Sequence, residues 1–138
     1  MQTIKLGVLF LSVVALFSMS VFAQSGESAA IRLGDTAELV KSKISIKFLR
    51  VIEDSRCPAD ANCIWAGNAK LEIEASKGSQ KGTFVLNTNG NETVAKFAGY
   101  AIRITSLEPQ KTSAKDKPEN EQKPCGIPYK ATFTVAKN

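Results

Sequence analysis

The chain is organised around residues 54–69, which read DSRCPADANCIWAGNA. This stretch holds Cys57 and Cys63, two of the three cysteines, and Trp65, the only tryptophan. A bridge between Cys57 and Cys63 would close a small ring, which the chain-entropy treatment values at about 2 kcal/mol. It would also hold the loop in one shape, because Pro58 inside the ring has a fixed φ and no N–H. We therefore predict a Cys57–Cys63 disulfide, and we call residues 54–69 the tied loop.

The tied loop has two interpretations. In the first it is a corner brace that joins two strands, with Trp65 anchoring the core, as a tryptophan usually does in a small domain. In the second it is a rigid, exposed loop that docks into a partner and presents Asp54, Arg56, Asp60 and Trp65. Asp54 and Arg56 are also candidates for a local ion pair that shapes the loop.

The third cysteine, Cys125, leaves the pairing open. Three cysteines cannot all pair within one chain, so Cys125 is a free thiol, an intermolecular link, or the true partner of Cys57 or Cys63. The short separation favours the pairing of Cys57 with Cys63. Because the chain has no histidine to activate a thiol, we do not expect Cys125 to act as a nucleophile.

The N-terminus predicts export. Lys5 is the only charge before an apolar run, residues 6–23, whose last three residues suit a signal peptidase. We predict a signal peptide over residues 1–23, leaving one domain over residues 24–138 and no stable membrane anchor. The run also has transmembrane length, so an uncleaved anchor is the alternative. A periplasmic or extracellular location would permit disulfides.

Composition argues against several functions. The absence of histidine removes the usual hydrolase triads, and both methionines lie in the predicted signal peptide, so most copper sites lack their ligands. We expect no enzyme activity, no cofactor and no metal site. A calcium site has to be considered, since three carboxylates lie in or next to the tied loop: Glu53, Asp54 and Asp60. Their spacing lacks the regular ligand positions and the mid-loop glycine of an EF-hand.

Charge gives no sign of nucleic acid binding. Without Lys5, 17 of the 18 basic residues remain against 13 acidic ones, a formal charge of +4 on the predicted domain. Basic residues are interleaved with acidic ones, also in the lysine-rich segment 108–128, which is typical of a solvated loop. We expect this long polar loop to be mobile.

Alternating apolar residues predict about eight short strands and no helix beyond the signal peptide. The clearest pattern is in residues 69–75, with further candidates at 29–33, 36–40, 44–51, 82–86, 94–97, 100–105 and 129–136. A change of apolar phase near Phe48–Leu49 predicts a β-bulge. Turn signals such as Asn89-Gly90 separate the strands. We predict an all-β fold, a single antiparallel β-sandwich that is Ig-like, or a small barrel.

The tied loop also carries a resemblance. The runs EDSRCP (53–58) and CIWAGNA (63–69) resemble a set of small exported bacterial proteins that share DSRCP followed by C-[VI]-W-A-G-N-A. Residues 99–109 and 129–135 look like theirs too, so the resemblance covers most of the predicted domain. It implies secretion and a β-rich fold but no activity, and Cys125 departs from its pattern.

Two functional hypotheses follow. The first is a non-enzymatic binding or structural module of the cell envelope, with an unknown envelope or extracellular protein or ligand as its partner. The second is an inhibitor of a secreted enzyme that acts through the Cys57–Cys63 loop. The second requires the loop to project from the sheets, and burial of Trp65 would weaken it.

Overall fold

The computed structural model describes residues 26–110 and 129–138. The predicted signal peptide, Cys125 and most of the segment 108–128 lie outside these residues. Within the described part the elements are eight β-strands: β1 (Glu27–Arg32), β2 (Thr36–Leu39), β3 (Ile44–Asp54), β4 (Ala69–Lys77), β5 (Gln80–Asn87), β6 (Val94–Phe97), β7 (Tyr100–Glu108) and β8 (Lys130–Lys137). No helix of the described residues is long and apolar enough to cross a membrane.

The strands form two antiparallel sheets of four strands each. One sheet has the order β1-β8-β7-β6 and the other has the order β2-β3-β4-β5. The two sheets do not close on each other, so the predicted all-β sandwich is confirmed and the small-barrel alternative is wrong. The sequence could not exclude a barrel, because the alternation of apolar residues predicts the buried face of each strand but not which edge strands pair.

The core lies between the two sheets and follows the alternation. On β4, every second residue from Ala69 to Ala75 is fully buried, while the residues between them are partly exposed. Phe48 of β3 and Phe133 of β8 meet edge to face, with ring centroids 6.0 Å apart. Burying such an aromatic side chain stabilises the fold by about 2 kcal/mol or more. These two rings therefore join the sheets at the centre.

The predicted β-bulge in β3 is confirmed. The pairing of β3 with β4 shifts register between Phe48 and Arg50, and it shifts again between Val51 and Glu53. Each shift turns the following side chains toward the other face. The second half of β3 therefore leaves the tight core packing of the first half, and Ile52 is 47% exposed.

Because all the strands are antiparallel, successive connections alternate between the two ends of the sandwich. We call one end the short-turn end; it holds the turns at residues 40–43, 78–79 and 98–99. We call the other the long-connection end; it holds residues 33–35, the tied loop, residues 88–93 and the described ends of the connection from β7 to β8, which are residues 109–110 and Tyr129.

The short-turn end is held by local contacts. Ala98 and Gly99 have φ angles of 48° and 80°, the pair of positive values that defines a tight two-residue hairpin turn. The carboxylate of Glu27 accepts hydrogen bonds from the backbone N–H groups of Lys41 (2.6 Å) and Ser42 (2.8 Å). Desolvation alone would raise the pKa of Glu27, but these hydrogen bonds outweigh it and hold the pKa below its ordinary value.

Candidate functional site

The tied loop begins as a continuation of the β3–β4 hairpin. The N–H of Ser55 donates to the carbonyl of Asn68 at 2.7 Å, and the N–H of Cys57 donates to the carbonyl of Ala66 at 3.0 Å. The two arms of the loop therefore stay paired beyond the ends of the strands. Further out, the N–H of Ala61 donates to the carbonyl of Pro58 at 3.1 Å and closes a turn.

The predicted disulfide is confirmed. Cys57 and Cys63 are bonded, with their Cα atoms 6.0 Å apart. The bridge closes the outer part of the loop just beyond the last paired backbone groups. The ring is thus attached to the sandwich by a short two-stranded stem rather than packed into the core.

Gly67 allows the two arms of the stem to approach. Its φ is +71°, a value that favours glycine. A Cβ at this position would collide with the carbonyl oxygen of Ser55, and would lie only 2.8 Å from the Cα of Arg56 and 2.9 Å from the nitrogen of Cys57. Gly67 is therefore required by the close passage of one arm over the other.

The prediction that Trp65 anchors the core is wrong. The side chain of Trp65 is 82% exposed and that of the neighbouring Ile64 is 93% exposed. The core between the sheets is filled by residues such as Phe48 and Phe133, and Trp65 lies beyond the last backbone pair of the stem, Cys57 with Ala66. Asp60 lies on the same exposed outer part of the loop.

An ion pair fixes the base of the loop, as the sequence predicted for Asp54 and Arg56. The guanidinium of Arg56 donates from Nε to Oδ1 of Asp54 and from Nη2 to Oδ2, both at 2.8 Å. The two side chains are only 16% and 13% exposed. This planar two-point pairing is the strongest geometry that arginine offers to a carboxylate. Hydrogen bonding from Arg56 holds the pKa of Asp54 below its ordinary value.

The same pair reaches the second sheet. Arg56 Nη1 donates to the carbonyl of Leu107 at 2.6 Å, and Nη2 donates to the carbonyl of Pro109 at 2.8 Å. The hydroxyl of Tyr129 donates to Oδ2 of Asp54 at 3.1 Å. Burial, and then this hydrogen bond, raise the pKa of Tyr129. We call these five residues the clamp: Asp54, Arg56, Leu107, Pro109 and Tyr129.

Asparagines tie the other arm of the loop to the connection between β5 and β6. Asn68 Nδ2 donates to Oδ1 of Asn87 at 2.8 Å, while Asn68 Oδ1 accepts the N–H of Asn89 at 3.0 Å. The N–H of Ala69 donates to the hydroxyl of Thr88 at 2.9 Å. Both arms of the tied loop are thus bonded to neighbouring connections, one through the clamp and the other through Asn68.

Sequence reasoning missed Tyr129 and Asn68 as site residues. In the sequence pattern Tyr129 is only the first residue of the strand predicted over 129–136, and nothing local signals its hydroxyl bond to Asp54. Asn68 offered a weak signal, since it follows Gly67 directly before the clearest strand and such pairs favour turns.

Two open clefts flank Arg56. Their volumes are about 320 and 390 Å³, and both are lined in part by Arg56, Thr88 and Gln110. The side chains of Arg56 and Thr88 already form hydrogen bonds within the protein. The clefts therefore offer a small ligand fewer polar partners than their lining suggests.

Neither a metal-binding cluster among the described residues nor a similar known protein assigns a function to this site. In residues 26–110 and 129–138, no three histidine, cysteine or acidic side chains cluster closely enough to hold a metal ion. Comparison of the chain with protein-family models, with curated proteins and with solved structures finds no match. The resemblance to exported bacterial proteins with the DSRCP motif therefore stays a prediction.

Proposed function

We propose that the protein is an exported, non-enzymatic β-sandwich module that binds a protein partner in the cell envelope or outside the cell. The contact is made by the tip of the tied loop, which we define as residues 59–66. One observation carries this proposal: two adjacent large apolar side chains, Ile64 and Trp65, are almost fully exposed on a loop that is otherwise fixed.

The chemistry of the tip favours a protein partner. Tryptophan is enriched among the residues that dominate binding energy at protein interfaces, where its large surface is removed from water. Residues 57–67 carry a single charged side chain, Asp60, and no basic one. Phosphate backbones and anionic lipids are bound mainly through lysine and arginine, so the tip lacks what those ligands require.

The rigidity of the loop supports the same function. Its ring is closed by the disulfide, its stem is paired through Ser55 and Cys57, and its base is held by the clamp. A loop that is already ordered loses less conformational entropy when it binds, so more of the contact energy appears as affinity. Export is supported by the N-terminal sequence and by the disulfide, which persists in oxidising compartments.

Inhibition of a secreted enzyme is the second candidate. It is favoured by the shape of the loop, since all residues from Ala59 to Ala66 are exposed while both arms behind them are bonded to the sandwich. Such a loop could enter a cleft without losing its own conformation. Enzyme activity of the partner, measured with and without the protein, separates this candidate from a simple binding module.

The test compares the two ends of the sandwich. Val40 is 82% exposed at the short-turn end and serves as the matched control for Trp65. A photocrosslinking residue replaces Ile64 in one variant and Val40 in another. A protein that crosslinks in the native host to the Ile64 variant but not to the Val40 variant is identified and purified.

We expect Trp65→Ala to weaken the binding of this purified partner by about 2 kcal/mol, or roughly thirtyfold in Kd.

The control Val40→Ala should leave the Kd of that partner unchanged. Equal capture at both positions, or an unchanged Kd in the Trp65→Ala variant, would refute the tip as the binding site. Circular dichroism of both variants checks that the sandwich is intact.

A further inference from the structure

The connection between β5 and β6 places a reactive pair of residues beside the tied loop. Asn89 and Gly90 are exposed, and Gly90 has a φ of +84°. The backbone N–H of Gly90 donates to Oδ1 of Asn89 at 2.9 Å, which brings the glycine nitrogen next to the side-chain amide of the preceding residue. A glycine has no side chain to shield that nitrogen.

We propose that Asn89 is a site of spontaneous deamidation that loosens the tied loop. Solvent base removes the proton from the backbone nitrogen of Gly90, and that nitrogen attacks Cγ of Asn89. A new C–N bond forms, the bond from Cγ to the side-chain nitrogen breaks, and ammonia leaves. Water then adds to either carbonyl of the cyclic imide and breaks one ring C–N bond, giving aspartate or isoaspartate. No electrons are exchanged and no other reactant is needed.

The consequence follows from the contacts that Asn89 makes. Its Nδ2 donates to the carbonyl of Gly67 at 3.4 Å, in the arm of the loop that crosses Ser55 and Arg56. After deamidation a carboxylate oxygen takes the place of this donor and faces a carbonyl oxygen, so attraction becomes repulsion. Isoaspartate also lengthens the main chain by one carbon, which displaces the N–H that Asn89 donates to Asn68.

The chain contains its own controls. Four other asparagines lie in the same part of the structure, and each is followed by a residue whose side chain crowds the attacking nitrogen: Asn62 before cysteine, Asn68 before alanine, Asn87 before threonine and Asn91 before glutamate. In addition, Nδ2 of Asn68 and Nδ2 of Asn87 donate to neighbouring oxygens at 2.8 and 2.7 Å. Reaction should therefore be confined to Asn89.

The first experiment is peptide mapping by mass spectrometry after incubation of the folded, full-chain protein at mildly alkaline pH. We expect the one-dalton mass gain and isoaspartate to accumulate at Asn89 at least tenfold faster than at Asn62 or Asn91. Gly90→Ala should slow the reaction by a similar factor. Equal rates at Asn89 and Asn91, or a fully intact Asn89, would overturn the proposal.

The second experiment measures the effect on the loop. Amide hydrogen exchange is compared between Asn89→Asp and the charge-matched control Asn91→Asp. We expect Asn89→Asp to speed exchange at the N–H groups of Ser55 and Cys57, which pair the two arms, and to leave the N–H of Lys43 at the short-turn end unchanged. Equal exchange in the two variants would refute the loosening, whether or not Trp65 binds a partner.

Discussion

The connections between strands are held in place differently at the two ends of the sandwich. At the short-turn end, tight turns and neighbouring side chains are sufficient, as in the positive φ pair at Ala98 and Gly99 and in the carboxylate of Glu27 over the β2–β3 turn. At the long-connection end, the tied loop is held by residues distant in sequence, and Arg56 bonds across to Leu107 and Pro109.

The difference shows that contacts between residues distant in sequence support the tied loop rather than the short turns. Loops that carry function sit on rigid scaffolds, and a long loop needs its own support to keep one conformation. Here the support consists of the disulfide, the clamp and the Asn68 contacts, while the tip beyond them exposes Ile64 and Trp65. Matched substitutions inside and outside these supports should therefore lower the free energy of unfolding by unequal amounts.

The largest expected effect is at the crossing of the two arms. Gly67→Ala should lower the free energy of unfolding by about 4 kcal/mol, because a positive φ and a collision with backbone add up. Gly78, at the short-turn end, has a φ of +57° but open space around its missing Cβ. Gly78→Ala should therefore cost only about 1 kcal/mol. Urea denaturation measures both, and equal losses would contradict the required close passage.

The clamp should come next. Arg56→Ala removes the guanidinium that pairs with Asp54 and with two backbone carbonyls in a mostly buried place, and we expect a loss of about 3 kcal/mol in the free energy of unfolding. Arg50 is the matched control, since it also pairs with an acid, Glu72, but its side chain is 66% exposed. Arg50→Ala should cost about 0.5 kcal/mol. If the two variants unfold at the same urea concentration, the clamp does not stabilise the fold.

The smallest effect is the response to acid, which should involve both ends. The folded-state pKa values of Asp54 and Glu27 lie below their ordinary values of 3.8 and 4.5. Stability from each carboxylate is therefore present above the ordinary value and is lost as the pH falls through it toward the folded pKa. Loss should begin at the short-turn end, with Glu27, and continue at the clamp.

This order can be checked by urea unfolding at a series of acidic pH values. Glu27→Gln should flatten the decline near pH 4.5, and Asp54→Asn should flatten it below pH 3.8. Glu53→Gln, next to the clamp but in an exposed pair with Lys70, serves as the control. A decline as steep in Asp54→Asn as in the unchanged protein would remove the clamp from the acid response.

Much of the fold could be predicted because it depends on local patterns. Alternation in residues 69–75 predicts a half-buried strand, the phase change at Phe48–Leu49 predicts the bulge, and the spacing of Cys57 and Cys63 predicts their bridge. Each of these signals lies within a few residues of the feature that it predicts. Sheet order, which joins β1 to β8, has no such signal, and so the barrel alternative stayed open.

The site was less predictable because its contacts are not local. The ion pair of Asp54 with Arg56 was foreseen, since the two residues are close in sequence, but Tyr129 reaches Asp54 only through the fold. The corner-brace interpretation misplaced Trp65, because a large apolar residue is typical both of a core and of an interface with another protein. Only its position beyond the stem distinguishes the two.

The clamp has a consequence for protein engineering. The connection from β7 to β8 is fixed at both of its described ends. The carbonyl of Pro109 accepts a hydrogen bond from Arg56, and the hydroxyl of Tyr129 donates one to Asp54. The chain between these two fixed points can be lengthened at small cost, because doubling the length of a loop adds only about 0.6 kcal/mol of closure entropy. An affinity tag or reporter peptide grafted there would leave the sandwich and the tip of the tied loop as they are.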